Sequence, residues 1–238
     1  MKLDILAVGV HPDDVELGCS GTLMKHIDLG YKAGILDLTK GELGTRGNVK
    51  TRMKEVGVAT KLMKLHVRQS LNFADGFFTN DKKHQLEVIK IIRHYRPTIV
   101  FANAIHDRHP DHARSATLVR DACFLAGLPK VQTTYKGVKQ QAFRPKAVYH
   151  YIQALHVEPD FVIDITDYFE RKMEVIKAFK SQFFDPNSKE PNTFISSPQF
   201  LEFVRSRAIH FGVPSGMQYA EAFTTNRTLG VEDVTKLL

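Results

Sequence analysis

Short apolar runs of strand length alternate with longer segments of helical period through the first half of the chain. That alternation narrows the fold to βαβ units on a largely parallel sheet. Strands are predicted at Leu3 to Val10, Lys32 to Leu38, His66 to Asn72 and Thr98 to Asn103. Helices are predicted between them at about Val15 to Leu29, Lys50 to Lys64 and Lys82 to Tyr95, with another starting near Asp111. In the first, Val15, Cys19, Leu23 and Ile27 form an apolar stripe, on which Cys19 reads as a packing residue. A doubly wound α/β sheet in the order 3-2-1-4 would put strands one and four side by side. Ligands of such sheets bind in the crevice outside the carboxyl ends of those strands.

The second half is less regular. Residues 128–145 read as an excursion or flap, followed by strands at Ala147 to Gln153 and Phe161 to Ile165 and a helix from Thr166 to Phe183. Residues 185–198 hold three prolines and read as a loop before a last helix, Pro198 to Phe211. The stretch from Gly212 to Phe223, with Met217 and Tyr219, is expected to close over a pocket or to form a subunit contact. No linker interrupts the 238 residues, so one domain is expected over 1–238, with core βα units in 1–127 and the flap, further strands and C-terminal helices in 128–238.

Composition excludes several classes. The hydrophobic share of 43% and charged share of 25% are globular values. The first apolar run carries Asp4 and ends at His11-Pro12-Asp13-Asp14, unlike a signal peptide or a membrane span, so a cytoplasmic chain is expected. Two cysteines, Cys19 and Cys123, are too few for a disulfide framework or a Cys-type zinc site. The net charge of +7 makes nucleic acid, anionic membrane and acidic substrates worth testing.

Protonatable side chains concentrate in two segments, His11-Pro12-Asp13-Asp14 and His106-Asp107-Arg108-His109-Pro110-Asp111-His112. Together they hold four of the eleven histidines. Each follows a strand that ends in the crevice, so segments about a hundred residues apart would face one another. A metal gives a reason for such clustering, since imidazoles and carboxylates bind Zn²⁺ and catalytic sites keep an open position for water. Adjacent carboxylates on a turn point in different directions, so one can hold the ion while the other takes a proton from water. Gly41, Gly44 and Gly47 do not form G-x-G-x-x-G after the first strand, which counts against a dinucleotide cofactor.

Residues 7–23, AVGVHPDDVELGCSGTL, resemble the signature of the LmbE-like, or PIG-L, zinc-dependent N-deacetylases. HPDH at 109–112 is similar to that family's second metal motif, and KGELGTRG at 40–47 with Arg52 also matches. Among short members the pattern looks most like the deacetylases of bacillithiol biosynthesis, which act on N-acetylglucosaminyl malate. The resemblance implies a Rossmann-like fold, with His11, Asp14 and His112 as metal ligands and Asp13 as the base that takes a proton from the attacking water. It further implies that a protonated His109 stabilises the oxyanion, with Asp111 holding that imidazole charged, and that Arg52 contacts an anionic part of the substrate. It also implies a homo-oligomer.

The expected activity is thus metal-dependent deacetylation of an N-acetylglucosamine conjugate, with Zn²⁺ the expected ion and Fe²⁺ allowed by the same two-histidine, one-carboxylate set. The expected partner is an anionic amino sugar, not nucleic acid or membrane. Rivals are deacetylation of another amino sugar, such as a chito-oligosaccharide or an inositol-linked glucosamine, and a non-catalytic nucleic-acid-binding module built on a structural metal. The basic excess is local: residues 47–68 carry six basic residues against Glu55, and residues 130–146 carry five with no acid, leaving a slightly acidic remainder.

Overall fold

The computed structural model describes residues 1–236. A seven-stranded sheet is built from β1 (Ile5–Gly9), β2 (Ala33–Asp37), β3 (Val67–Ser70), β4 (Ile99–Ala102), β7 (Ala147–Tyr151), β8 (Phe161–Asp164) and β9 (Ala220–Thr225). Its strand order is β3-β2-β1-β4-β7-β9-β8. The first five neighbours are parallel, and β9 runs antiparallel to both β7 and β8. The expected 3-2-1-4 order is therefore present, and β1 and β4 lie side by side.

Successive residues of β1 feed opposite faces, as strand geometry requires. Ile5 and Ala7 enter one core with Leu23 and Phe179, while Leu6 and Val8 enter the other with Val100 and Leu118. Helices α1 (Asp14–Asp28), α2 (Val49–Leu62), α5 (Phe169–Lys177) and α6 (Pro198–Gly212) contribute to the first core. Helices α3 (Lys82–Tyr95) and α4 (Pro110–Ala126) contribute to the second. Cys19 is fully buried in the first, as its stripe predicts. Side-chain caps start two of the crossovers: Asn48 accepts from the Thr51 N–H, and Asp81 accepts from that of His84.

Three segments depart from expectation. The helix predicted over Thr166 to Phe183 is a 3-10 turn at Thr166–Tyr168 followed by the shorter α5. Glu55 ends it early by accepting the Ser181 N–H and hydroxyl at 2.7 and 2.8 Å, which draws the chain off the helical path. Residues 128–145 include the two-stranded hairpin of β5 (Thr134–Tyr135) and β6 (Val138–Lys139), fixed beside α3 and β3. Arg93 of α3 donates to the Val131 carbonyl and Thr133 hydroxyl there, and Gln69 donates to Tyr135 Oη.

The third departure corrects the reading of Gly212 to Phe223. Its end is β9, an interior strand, and not a cover over a pocket. Met217 packs with Ile152 and Phe211, while Tyr219 stacks on Phe169 at 4.0 Å. Among the described residues no helix is long and apolar enough to cross a membrane.

Candidate active site

The carboxyl ends of β1, β3, β4 and β7 lead into one cavity of about 370 Å³. Both sequence motifs reach it. The chain leaves β1 through His11 and Pro12, and α1 begins at Asp14. Asp13, at the helix N-cap, has φ of 144°, a conformation that side-chain-bearing residues rarely adopt. Opposite, His109 caps α4: its Nδ1 accepts the Asp111 N–H at 3.3 Å, and Pro110 occupies the first helical turn. An Nδ1 acceptor leaves the neutral ring's proton on Nε2.

The three expected metal ligands converge. His11 Nδ1 lies 3.7 Å from Asp14 Oδ2, and His112 Nε2 lies 3.1 Å from Asp14 Oδ1. Nitrogens of His11, His109 and His112 also lie within 4.8 Å of one another, so His109 stands close enough to share in holding an ion. The N–H groups of Val10 and His11 and the amides of Asn103 and Gln153 all donate to the Asp14 carboxylate, at 3.0 to 3.1 Å.

Each of the two imidazoles has its other nitrogen on a carboxylate that the motif reading did not single out. His11 Nε2 meets Asp75 Oδ1 at 2.8 Å, and His112 Nδ1 meets Asp107 Oδ2 at 2.5 Å. Those carboxylates are themselves fixed: Asp75 accepts the Leu43 N–H, and Asp107 accepts those of Ala154 and Leu155. Carboxylate-backed histidines of this kind are typical of metal sites, because the partner sets the tautomer and ring orientation. Asp75 follows β3, whose end the sequence reading did not place at the crevice. Asp107 lies inside the second motif.

The electrostatics describe a site short of positive charge. Burial opposes the charge of Asp14, but His112 and His11 outweigh it and hold the carboxyl well below the usual range. Burial would also lower His112, yet Asp14 and Asp107 raise it to about 10. The pair thus retains a proton where a cation would serve the same carboxylates. Two imidazoles and a carboxylate with fixed outer partners fit a divalent ion such as Zn²⁺ or Fe²⁺.

The remaining expected residues occupy distinct surroundings. Burial pushes Asp13 up to about 7, only partly offset by Arg52. Arg52 is itself buried, donating to the Pro12 carbonyl at 3.0 Å and to Asp13 Oδ2 at 3.4 Å. The Gly41 loop admits it closely: φ there is +64°, and a Cβ would sit 3.1 Å from Arg52 Nη1. His109 is lowered by burial and by the facing His11 and His112, so these surroundings favour the neutral ring over the charged one expected from sequence. The Asp111 carboxylate turns away from that ring, accepting from Arg114 Nη1 at 2.5 Å and the Gly76 N–H at 2.8 Å. It approaches His11 Nε2 to 3.9 Å instead. His106, left out of the expected ligand set, is exposed.

The segment after α5 and the first turn of α6 supply the cavity's other wall. Gln182, Phe194, Ile195 and Phe200 line it, and the Arg108 guanidinium lies 4.5 Å above the Phe194 ring. Residues of the 128–146 hairpin region do not line it, so that basic patch lies away from the site.

Comparison with known proteins gives the family. The family model described as GlcNAc-PI de-N-acetylase, PIG-L, matches residues 6–123, which include both motifs. The chain is similar to the diacetylchitobiose deacetylase of Thermococcus kodakarensis, with 28% identity over 229 residues, covering 91% of this chain and 80% of that protein. It is 36% identical over 164 residues to YaiS of Escherichia coli K12, described as an uncharacterized deacetylase, covering 60% of this chain and 85% of that one. The crystal structure of the conserved protein TT1542 from Thermus thermophilus superposes with a TM-score of 0.86 at 33% identity, covering 97% and 98% of the two chains. This chain belongs to the PIG-L family of de-N-acetylases, enzymes that hydrolyse acetamides.

Proposed function

We propose that the protein is a metal-dependent N-deacetylase of an N-acetylglucosamine conjugate, with N-acetylglucosaminyl malate as its substrate and Zn²⁺ as its ion. The observation that carries this reading is the convergence of His11, Asp14 and His112 beside a second carboxyl, Asp13, raised to about 7 in one cavity. A divalent ion held by those three residues would supply Lewis-acid polarisation of the amide and a more acidic water.

The chain's own residues carry the protons. Asp13, poised near neutrality, takes a proton from the attacking water and can return it to the amine as the C–N bond breaks. Arg52 and the turn at Pro12 hold that carboxyl in place. His109, neutral with its proton on Nε2, donates to the developing oxyanion. Asp75 and Asp107 fix the rings of His11 and His112, and Asp111 with Arg114 fixes the start of α4.

A second reading, in which the sugar carries a neutral aglycone, is favoured by the similarity to a diacetylchitobiose deacetylase. The test is a panel of N-acetylglucosaminides differing in aglycone, assayed for acetate and free amine with and without chelator. Acetate release from N-acetylglucosaminyl malate, abolished by chelator and restored by Zn²⁺, is expected. Release only from diacetylchitobiose would replace the substrate, and release from none would overturn the deacetylase reading.

A further inference from the structure

The four acids that line the cavity are all engaged at its histidine end: Asp13 by Arg52, Asp14 and Asp107 by His112, and Asp75 by His11. Arg46 lines the same cavity from the Gly-rich loop and is only 4% exposed. Among the described residues no carboxylate lies within ion-pair distance of it. Its Nη2 donates to the neutral Ser188 hydroxyl at 2.7 Å, and its Nε is buried with no hydrogen-bond partner. A buried guanidinium with an unmet donor and no counter-charge is costly unless an anion completes it. Arg52, expected from sequence to meet the substrate's anion, already faces Asp13 at 3.4 Å.

From these contacts we propose that Arg46 anchors an anion subsite where the segment after α5 walls the cavity, taking a carboxylate or phosphate carried on the substrate's aglycone. The inference rests on the deacetylase reading and adds which side chain selects the substrate. The Arg46 guanidinium is planar and permanently charged, so it suits an oxyanion. The subsite is built from both sides. Ser188 belongs to the segment after α5, and Gln182 of the same segment donates to the Arg46 carbonyl at 2.9 Å. Arg108, stacked on Phe194 of that segment, is a second cation lining the cavity. The acetamide would then lie at the histidine end and the aglycone against Arg46.

The experiment compares three probes in the zinc-loaded protein: N-acetylglucosaminyl malate, N-acetylglucosamine 1-phosphate and the neutral methyl N-acetylglucosaminide. Turnover is followed by acetate release and affinity by calorimetry. The wild-type protein is expected to favour at least one anionic probe. In Arg46→Gln the ratio of kcat/KM for that probe over the neutral one should fall about 10- to 100-fold, the range for a charge-assisted hydrogen bond. Arg46→Lys should recover part of that ratio and guards against a folding defect in Arg46→Gln. Equal treatment of charged and neutral probes by the wild type, or a preference that survives Arg46→Gln, overturns the subsite while leaving the deacetylase reading intact. If none of these three probes releases acetate, the malate substrate falls and the calorimetric affinities judge the subsite alone. Tighter binding of an anionic probe that disappears in Arg46→Gln then supports it, and equal affinities overturn it.

Discussion

Replacing Asp13 by Asn separates the carboxyl proposed as the base from the backbone that carries it. Asparagine tolerates positive φ better than most side chains, so the strained N-cap can persist. In the metal-free protein, burial raises the Asp13 carboxyl from 3.8 to about 7. A carboxyl whose pKa is higher in the folded state binds protons on folding between those two values. Its ionisation therefore costs little below about pH 4, and stability declines as pH rises toward 7. The full displacement corresponds to about 4 kcal/mol above pH 7 and to about 1.5 kcal/mol at pH 5. Asp13→Asn removes that cost, so the variant should gain about 2.5 kcal/mol more over wild type at pH 8 than at pH 5. For a chain of this length that is a difference of about 5–10 °C in midpoint. Scanning calorimetry of chelator-treated wild type and variant at the two pH values measures it. The zinc-loaded variant should bind its ion but lose about 10²–10⁴-fold in turnover, the usual contribution of a positioned base. A stability difference flat across pH would refute the burial argument, and retained turnover would refute the assignment of the base.

Asp107→Asn should weaken metal binding about 10- to 100-fold, because the amide no longer fixes the His112 ring as a carboxylate does. Competition with a chromophoric chelator reads this, and unchanged affinity would count against Asp107 as the outer partner. Glu221 accepts from Lys172 Nζ and from the Gly21 and Thr22 N–H groups of α1. Glu221→Ala leaves the Lys172 charge buried and should cost about 3–5 kcal/mol in urea unfolding, and a loss below about 1 kcal/mol would show that the lysine finds another partner. At Gly18 an added Cβ would lie 2.2 Å from the Tyr151 ring, whose hydroxyl donates to the Val8 carbonyl. Gly18→Ala should therefore destabilise by about 1–3 kcal/mol through overpacking, seen as a lower denaturation midpoint.

The first half of the fold was legible because β1, β2 and most of β4 are buried on both faces and the helices carry one apolar stripe each, two periods that do not resemble one another. The same logic hid β9. Its Ala-Glu-Ala-Phe-Thr-Thr run carries a glutamate whose burial makes sense only once Lys172, 49 residues away, is beside it. Gly212, Pro214 and Gly216 just before it read as loop. The motifs likewise exposed His11, Asp14 and His112, since residue type and spacing are local. Asp75 has no such local sign, because its partner His11 is 64 residues distant. The charge state of His109 was also out of reach. It depends on burial first and then on His11 and His112, whose ring centroids lie 4.7 and 5.1 Å away, surroundings that a linear sequence cannot display.

Charge shows the limit most sharply. The +5 patch over residues 47–68 contains Arg52, expected to contact an anionic part of the substrate, yet its two arginines are spent inside the fold. Arg52 meets Asp13, and Arg68 meets Asp37 and Glu16 at 2.7 and 2.5 Å. A guanidinium already facing carboxylates in a low-dielectric interior exerts little pull on a further anion, whatever the charge of its segment. Arg46 lies one residue outside that patch and faces only a hydroxyl, with one donor unmet. What attracts an anion is this local imbalance, and counting lysines and arginines along the chain weights Arg46, Arg52 and Arg68 equally when the fold does not.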